Sequence, residues 1–220
     1  MKVVAIEGKP SALVFDLDNT LYTNPAYAAF QEDSLVERLG CELGIGTEAA
    51  AGKIAALRAE REKAGLGKTS LGKLFAALGI DIATSVRWRE ETYEPVKWLT
   101  KDVRLDQALG LLSKDFSLAL VTNNPRLVGE KSLEALGVRD RFTILVGLDD
   151  TYSGKPAPAP FIEVSKRLGL VPSACVSIGD RFDVDLAPAM ALGMGAILVD
   201  GVEDVYDLPS IFSDRDSLYD

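Results

Sequence analysis

Asp16 and Asp18 stand two residues apart at the end of the apolar run Leu13-Val14-Phe15, and Asn19, Thr20 and Tyr22 follow them. An apolar run that ends in such residues predicts a buried strand emptying into a polar crevice. Residues two apart on a strand share a face, so both carboxylates can point together while Leu17 packs behind. Side by side they repel unless a cation or a proton intervenes. The chain has no histidine. That excludes Ser-His and Cys-His nucleophile pairs, His-ligated zinc and haem bound through histidine. Acid–base chemistry must come from carboxylates, lysine, tyrosine or bound water.

The elements that must position these groups can be read from periodicity. Val3 to Ile6 predicts a short strand before the turn at Gly8-Lys9-Pro10, and a second strand runs from Ala12 to Leu17. From Asn24 to Val96 the composition is helical. Leu35, Val36, Leu39 and Leu43 form one stripe, and a more polar helix runs from Thr47 to Ala64. Leu71, Leu74, Phe75 and Leu78 form a second stripe between a Ser70 cap and a Gly79 stop. Gly65-Leu66-Gly67-Lys68-Thr69 reads as a short, flexible link. Trp88, Tyr93 and Trp98 read as core or hinge residues.

From Val103 onward helices and strands alternate. The predicted strands are Leu118 to Val121, Phe142 to Val146, Ala174 to Ile178 and Ala196 to Val199. The predicted helices cover Leu105 to Leu112, the stretch after Pro125 through Leu133 and Leu136 to a stop at Gly137, Ala159 to Leu168 and Val184 to Leu192. Asn124 ahead of Pro125 reads as a helix N-cap that could also help bind phosphate. Such alternation predicts an α/β, Rossmann-like, doubly wound parallel sheet with right-handed crossovers. Residues 1–23 and 97–220 would form the core and residues 24–96 an inserted α-helical domain. Ligands of these sheets bind beyond the carboxyl ends of the strands, where Asp16, Asp18, Thr122, Lys155 and Asp180 all fall.

The totals narrow the partners. With 24 Lys and Arg against 33 Asp and Glu, the net charge is −9, which argues against nucleic acid. No stretch approaches the ~20 apolar residues that span a bilayer. Two distant cysteines, Cys41 and Cys175, fit small core residues in a reducing compartment, so the expectation is cytoplasmic.

Four separated segments carry a resemblance: D-L-D-N-T at Asp16 to Thr20, V-T-N-N at Val121 to Asn124, G-K-P-A-P at Gly154 to Pro158 and G-D-R-F-D-V-D at Gly179 to Asp185. In this order they resemble the haloacid dehalogenase-like superfamily of phosphohydrolases with a helical C1-type cap. The resemblance implies that Asp16 is a nucleophile forming an aspartyl-phosphate and Asp18 the general acid and base. It implies that Thr122 and the backbone around Asn123 bind the phosphoryl oxygens and that Lys155 gathers the negative charge. Mg2+ would be held by Asp16, the Asp18 backbone carbonyl and Asp180. Asp185, followed by Leu186 and Ala187, matches the supporting acid of the metal site better than Asp183 does.

The substrate implied is a small phosphorylated metabolite, a phosphomonoester, and the protein a monomer or homodimer. Tyr22 packs at the domain junction or touches substrate. A phosphosugar mutase-type phosphotransferase is an alternative, weakened because related mutases carry a histidine in the cap hinge. An alternative of another class is a catalytically silent metal-binding interaction module.

Overall fold

The computed structural model describes residues 1–6, 8–65 and 70–213. The predicted Gly65–Thr69 link lies outside the described residues from Leu66 to Thr69. The chain divides into two compact units, Met1–Asn24 with Glu94–Asp220, and Pro25–Tyr93.

The first unit is built on strands β1 (Lys2–Ala5), β2 (Ala12–Phe15), β3 (Ser117–Val121), β4 (Ile144–Val146), β5 (Cys175–Gly179) and β6 (Gly195–Leu198). They form one sheet in the order β1-β6-β5-β2-β3-β4. β2 to β6 run parallel, as alternation with helices predicts. β1 departs from the prediction and pairs antiparallel with β6. The segment between Ala5 and Ala12 is too short for a parallel crossover, which takes about a dozen residues or more. At the edge the strand end is tied by the Met1 ammonium, 2.7 Å from Asp204 Oδ2.

β2 is apolar throughout because both of its faces are covered. Ala12 and Val14 pack with Ala119, Val121, Phe161 and Val164 on one face. Phe15, on the other, meets Phe142 edge-on at 6.0 Å between ring centroids. Cys175 belongs to this core, whereas Cys41 is exposed, contrary to the reading of both as core residues.

The helices of this unit are α5 (Val103–Leu112), α6 (Arg126–Leu136), α7 (Leu148–Thr151), α8 (Ala159–Leu168), α9 (Ala187–Met190) and α10 (Val202–Ser213), numbered after four in the second unit. The helix predicted from Val184 begins instead as a π-helical turn, Phe182–Leu186. Such turns are frequent at functional sites, and this one carries the buried Asp185. α10 falls where no element was predicted. Pro209 and the acidic Glu203, Asp204 and Asp207 mask its Val205-Leu208-Phe212 stripe, which is buried, and Phe212 meets Phe116 at 4.9 Å.

The second unit is helical: α1 (Pro25–Leu43), α2 (Thr47–Lys63), α3 (Leu71–Ala77) and α4 (Ile82–Thr92). Leu35, Val36 and Leu39 are buried as their stripe predicts, while Leu43 at the helix end is half-buried. Ser70 takes the N-cap position of α3 but makes no side-chain cap bond; Asp81 caps α4 by accepting from the Thr84 N–H. Phe75 and Trp88 join α3 to α4 edge-on at 5.8 Å, so Trp88 is a core residue of this unit.

Candidate active site

β2 lies inside the sheet, between β3 on one side and β5 on the other. Phe15 lies level with Leu120 and Ile178, so Asp16, Thr122 and Asp180 emerge just beyond three adjacent strand ends. The Asp16 N–H donates to the Ile178 carbonyl at 2.8 Å, and the Thr122 N–H to the Val146 carbonyl at 3.0 Å. These bonds hold the two residues at the ends of the ladder. Beyond Asp16 the chain turns sharply: Asn19 adopts φ 56° and the Leu21 N–H returns to the Leu17 carbonyl at 2.9 Å. Leu17 and Leu21 are fully buried, anchoring the turn from below.

Lys155 reaches this point from the loop after α7. Its Nζ lies 2.5 Å from Asp16 Oδ1 and 2.6 Å from Asp185 Oδ1, and all three side chains are buried. Burial pushes the Asp16 carboxyl up to about 7 against the pull of Lys155, with Asp185 and Asp18 adding to the rise. Burial also disfavours the lysine charge, but Asp16 and Asp185 outweigh it and raise Lys155 above the ordinary lysine value. The charges therefore depend on one another.

The lysine is aimed by Asn123, whose side chain accepts from the Lys155 N–H at 2.7 Å and donates to its carbonyl at 3.1 Å. This occupies the Asn123 amide, leaving the backbone there as the part that can face a phosphate. The neighbouring residue must be glycine: a Cβ on Gly154 would meet Asn123 Oδ1 at 2.8 Å. Gly154→Ala is expected to spread this clamp, costing about 1–3 kcal/mol of stability by overpacking. Urea denaturation of the variant checks it; an unchanged midpoint would mean that the clamp does not depend on the close approach.

Asp16, Asp180 and Asp185 present oxygens within 4.8 Å of one another. Asp180 Oδ1 and Asp185 Oδ1 are buried and receive no hydrogen bond among the described residues, although Lys155 lies against the latter. Burial, then the Asp185 charge, raises the Asp180 pKa, offset in part by Arg181 and Lys155. Clustered carboxylate oxygens with unmet acceptor capacity fit a hard divalent cation. Asp185 is held for this position: Ser177 Oγ donates to its carbonyl at 2.8 Å and the Arg181 N–H to its Oδ2 at 3.1 Å. Asp183 is exposed.

The Asp18 carboxylate lies outside that trio. Tyr22 donates its hydroxyl proton to Asp18 Oδ1, and Asn124 Nδ2 donates to Oδ2 at 2.9 Å. Neither partner was assigned to Asp18 from sequence. Tyr22 is buried with its hydroxyl on the carboxylate. Asn124 was read as the cap of α6, but Pro125 takes that position and Asp149 Oδ1 accepts from the Arg126 N–H at 2.6 Å. The available signal was the doubled amide before Pro125, since one asparagine suffices for a cap.

A family model described as haloacid dehalogenase-like hydrolase matches residues 10–193. A phosphoglycolate phosphatase from Shigella boydii is 31% identical over 196 residues, 80% of this chain and 77% of the relative. One from Salmonella typhi is 29% identical over 94% of this chain and 88% of its own length. Among solved structures, a HAD phosphatase from Thermococcus onnurineus is similar with a TM-score of 0.64 at 22% identity, covering 92% of this chain and 97% of the other. A putative β-phosphoglucomutase from Thermotoga maritima has a TM-score of 0.56 at 24% identity, covering 93% and 99%. At these identities the two structures establish likeness of fold.

Proposed function

This chain belongs to the haloacid dehalogenase-like hydrolases and is a phosphoric monoester hydrolase, and we propose that it releases phosphate from a small phosphomonoester through an aspartyl-phosphate on Asp16. The observation that carries this reading is the pairing of a buried Asp16, bonded to Lys155, with an Asp18 held separately two residues on. Two carboxylates in unlike surroundings suit unlike tasks.

In the first step an Asp16 oxygen attacks phosphorus in line as the ester P–O bond breaks, and Asp18 gives its proton to the departing oxygen. In the second, Asp18 takes a proton from water as the water oxygen attacks the same phosphorus. The Asp16–phosphorus bond breaks, inorganic phosphate leaves, and both carboxylates return to their starting state. The Thr122 hydroxyl and the backbone N–H groups near Asn123 hold phosphoryl oxygens, and Lys155 balances the charge gathered on Asp16 and phosphate. Asp16, Asp180 and the Asp18 backbone carbonyl, with Asp185 behind them, would hold Mg2+. When bound, the ion supplies neutralisation of charge on the phosphoryl oxygens.

The helical unit enters the chain directly after the first motif, and by that position we assign it the part of a cap that selects the leaving group. The relatives named for phosphoglycolate make 2-phosphoglycolate the first substrate to test. The expected result is phosphate release that EDTA abolishes and Mg2+ restores. Absence of release from 2-phosphoglycolate but release from other phosphomonoesters would replace the substrate. Absence across nucleotides, sugar phosphates and p-nitrophenyl phosphate would favour a silent metal-binding module. The mutase reading is disfavoured, since the chain has no histidine and the phosphoglucomutase likeness extends to fold alone.

A further inference from the structure

We propose that Asn124 and Tyr22 are positioning residues for Asp18, holding its carboxylate in the one orientation from which it can protonate a leaving oxygen; this rests on the phosphatase reading above. Three observations carry it. First, each Asp18 oxygen accepts from a different side chain, Oδ1 from the Tyr22 hydroxyl and Oδ2 from Asn124 Nδ2. A carboxylate bonded at both oxygens to separate groups loses rotation about its terminal torsion, which is otherwise broad.

Second, the donors are themselves fixed. Tyr22 is buried and its backbone forms a parallel bridge with Asp18, closing the turn that Asn19 opens. Asn124 is buried at the end of β3, where its N–H donates to Thr122 Oγ1 at 3.1 Å and its carbonyl accepts from the Leu148 N–H at 2.9 Å. Asn124 thereby joins two parts of the proposed machinery, with its backbone on Thr122 and its side chain on Asp18.

Third, Asp18 needs this support where Asp16 does not. Asp16 is buried against Lys155, whereas Asp18 is half-buried and outside the trio of Asp16, Asp180 and Asp185. The Tyr22 and Asn124 donors are both neutral.

General-acid assistance matters most when the leaving oxygen is poor, so the choice of leaving group isolates the role. The experiment compares wild type, Asn124→Ala, Tyr22→Phe and Asn124→Ser on 2-phosphoglycolate, an alkyl ester, and on p-nitrophenyl phosphate, whose leaving group needs little proton. Mg2+ affinity by calorimetry and thermal midpoint are recorded for each. For Asn124→Ala and Tyr22→Phe the expected loss of kcat/KM, which reports the step that expels the leaving group and not the later hydrolysis of the shared aspartyl-phosphate, is about tenfold or more on the alkyl ester, the scale of one charge-assisted hydrogen bond. The loss on the nitrophenyl ester is expected to stay within about threefold, with Mg2+ affinity unchanged. Asn124→Ser, which keeps a donor, should recover part of the loss. If 2-phosphoglycolate is not turned over by wild type, the alkyl arm uses whichever alkyl phosphomonoester is. Equal losses on both esters, or none, would overturn the positioning role while leaving the phosphatase reading intact. A wild-type chain inactive on every ester overturns that reading and this role together.

Discussion

Asp16→Asn is expected to abolish phosphate release, with kcat falling by about 10⁴-fold or more, because an amide cannot form the acyl-phosphate bond that an ionised carboxylate forms. The substitution is nearly isosteric, so the fold should survive it and a second readout becomes possible. In the metal-free protein the Asp16 pKa is pushed up to about 7 from 3.8, chiefly by burial. A carboxyl whose folded-state pKa is raised makes the folded protein bind more protons than the unfolded one between these values. Wild-type stability in EDTA should therefore fall as pH rises from about 4 to 7, and level off above. Asp180, also raised by burial, contributes in the same direction. Asp16→Asn removes the larger share of this slope. Thermal denaturation in EDTA across that window, beside a malachite green assay at pH 7.5, checks both parts. Robust turnover by Asp16→Asn would end the covalent mechanism; an unaltered pH slope would mean that Asp16 does not carry the buried charge.

Lys155→Met should be the most destabilising change in the site. The lysine is buried between Asp16 at 2.5 Å and Asp185 at 2.6 Å, so its removal leaves two buried carboxylates without their shared cation. Breaking a buried pair in this way costs about 3–5 kcal/mol. Part of that loss should be recovered at millimolar Mg2+, because a divalent ion can compensate the same carboxylates. Turnover should drop by ~10²–10³-fold even where the fold is restored, the scale seen when one preorganised charge or donor is lost from a reacting centre. Urea unfolding in EDTA and in Mg2+, run beside the phosphate assay, separates the two effects. A variant as stable as wild type in EDTA would show that the acid cluster does not depend on Lys155. A variant destabilised equally with and without Mg2+ would remove the ion as its compensation.

The sheet was legible because its signal is local. A strand buried on both faces needs a nearly unbroken apolar run that ends in polar residues; β2 and β3 have one from Ala12 to Phe15 and Leu118 to Val121, and in β5 only Ser177 interrupts it before Gly179. Alternation with helical stripes then dictates parallel order. Where the pattern was weak the reading stopped short: β1 is too short to declare its direction, and the stripe of α10 is interrupted by Pro209.

The cluster of Asp16, Lys155, Asp180 and Asp185 was anticipated from the four ordered motifs and the family they resemble, since each motif fixes residue type and order at once. Hydrogen-bond partners are another matter, because an asparagine or tyrosine can serve many roles and only its neighbours in space select one. Asn123 spends its side chain on the Lys155 backbone, Asn124 leaves the helix terminus for Asp18, and Tyr22 turns its hydroxyl onto the same carboxylate. Asp16 and Asp18 are two residues apart in every reading of the chain. Their repulsion, and the kinds of group that could relieve it, follow from the residue types alone. That Lys155 meets Asp16 and Asn124 meets Asp18 depends on segments more than a hundred residues away in sequence meeting at the carboxyl ends of the central strands, whereas Tyr22 reaches Asp18 from four residues on.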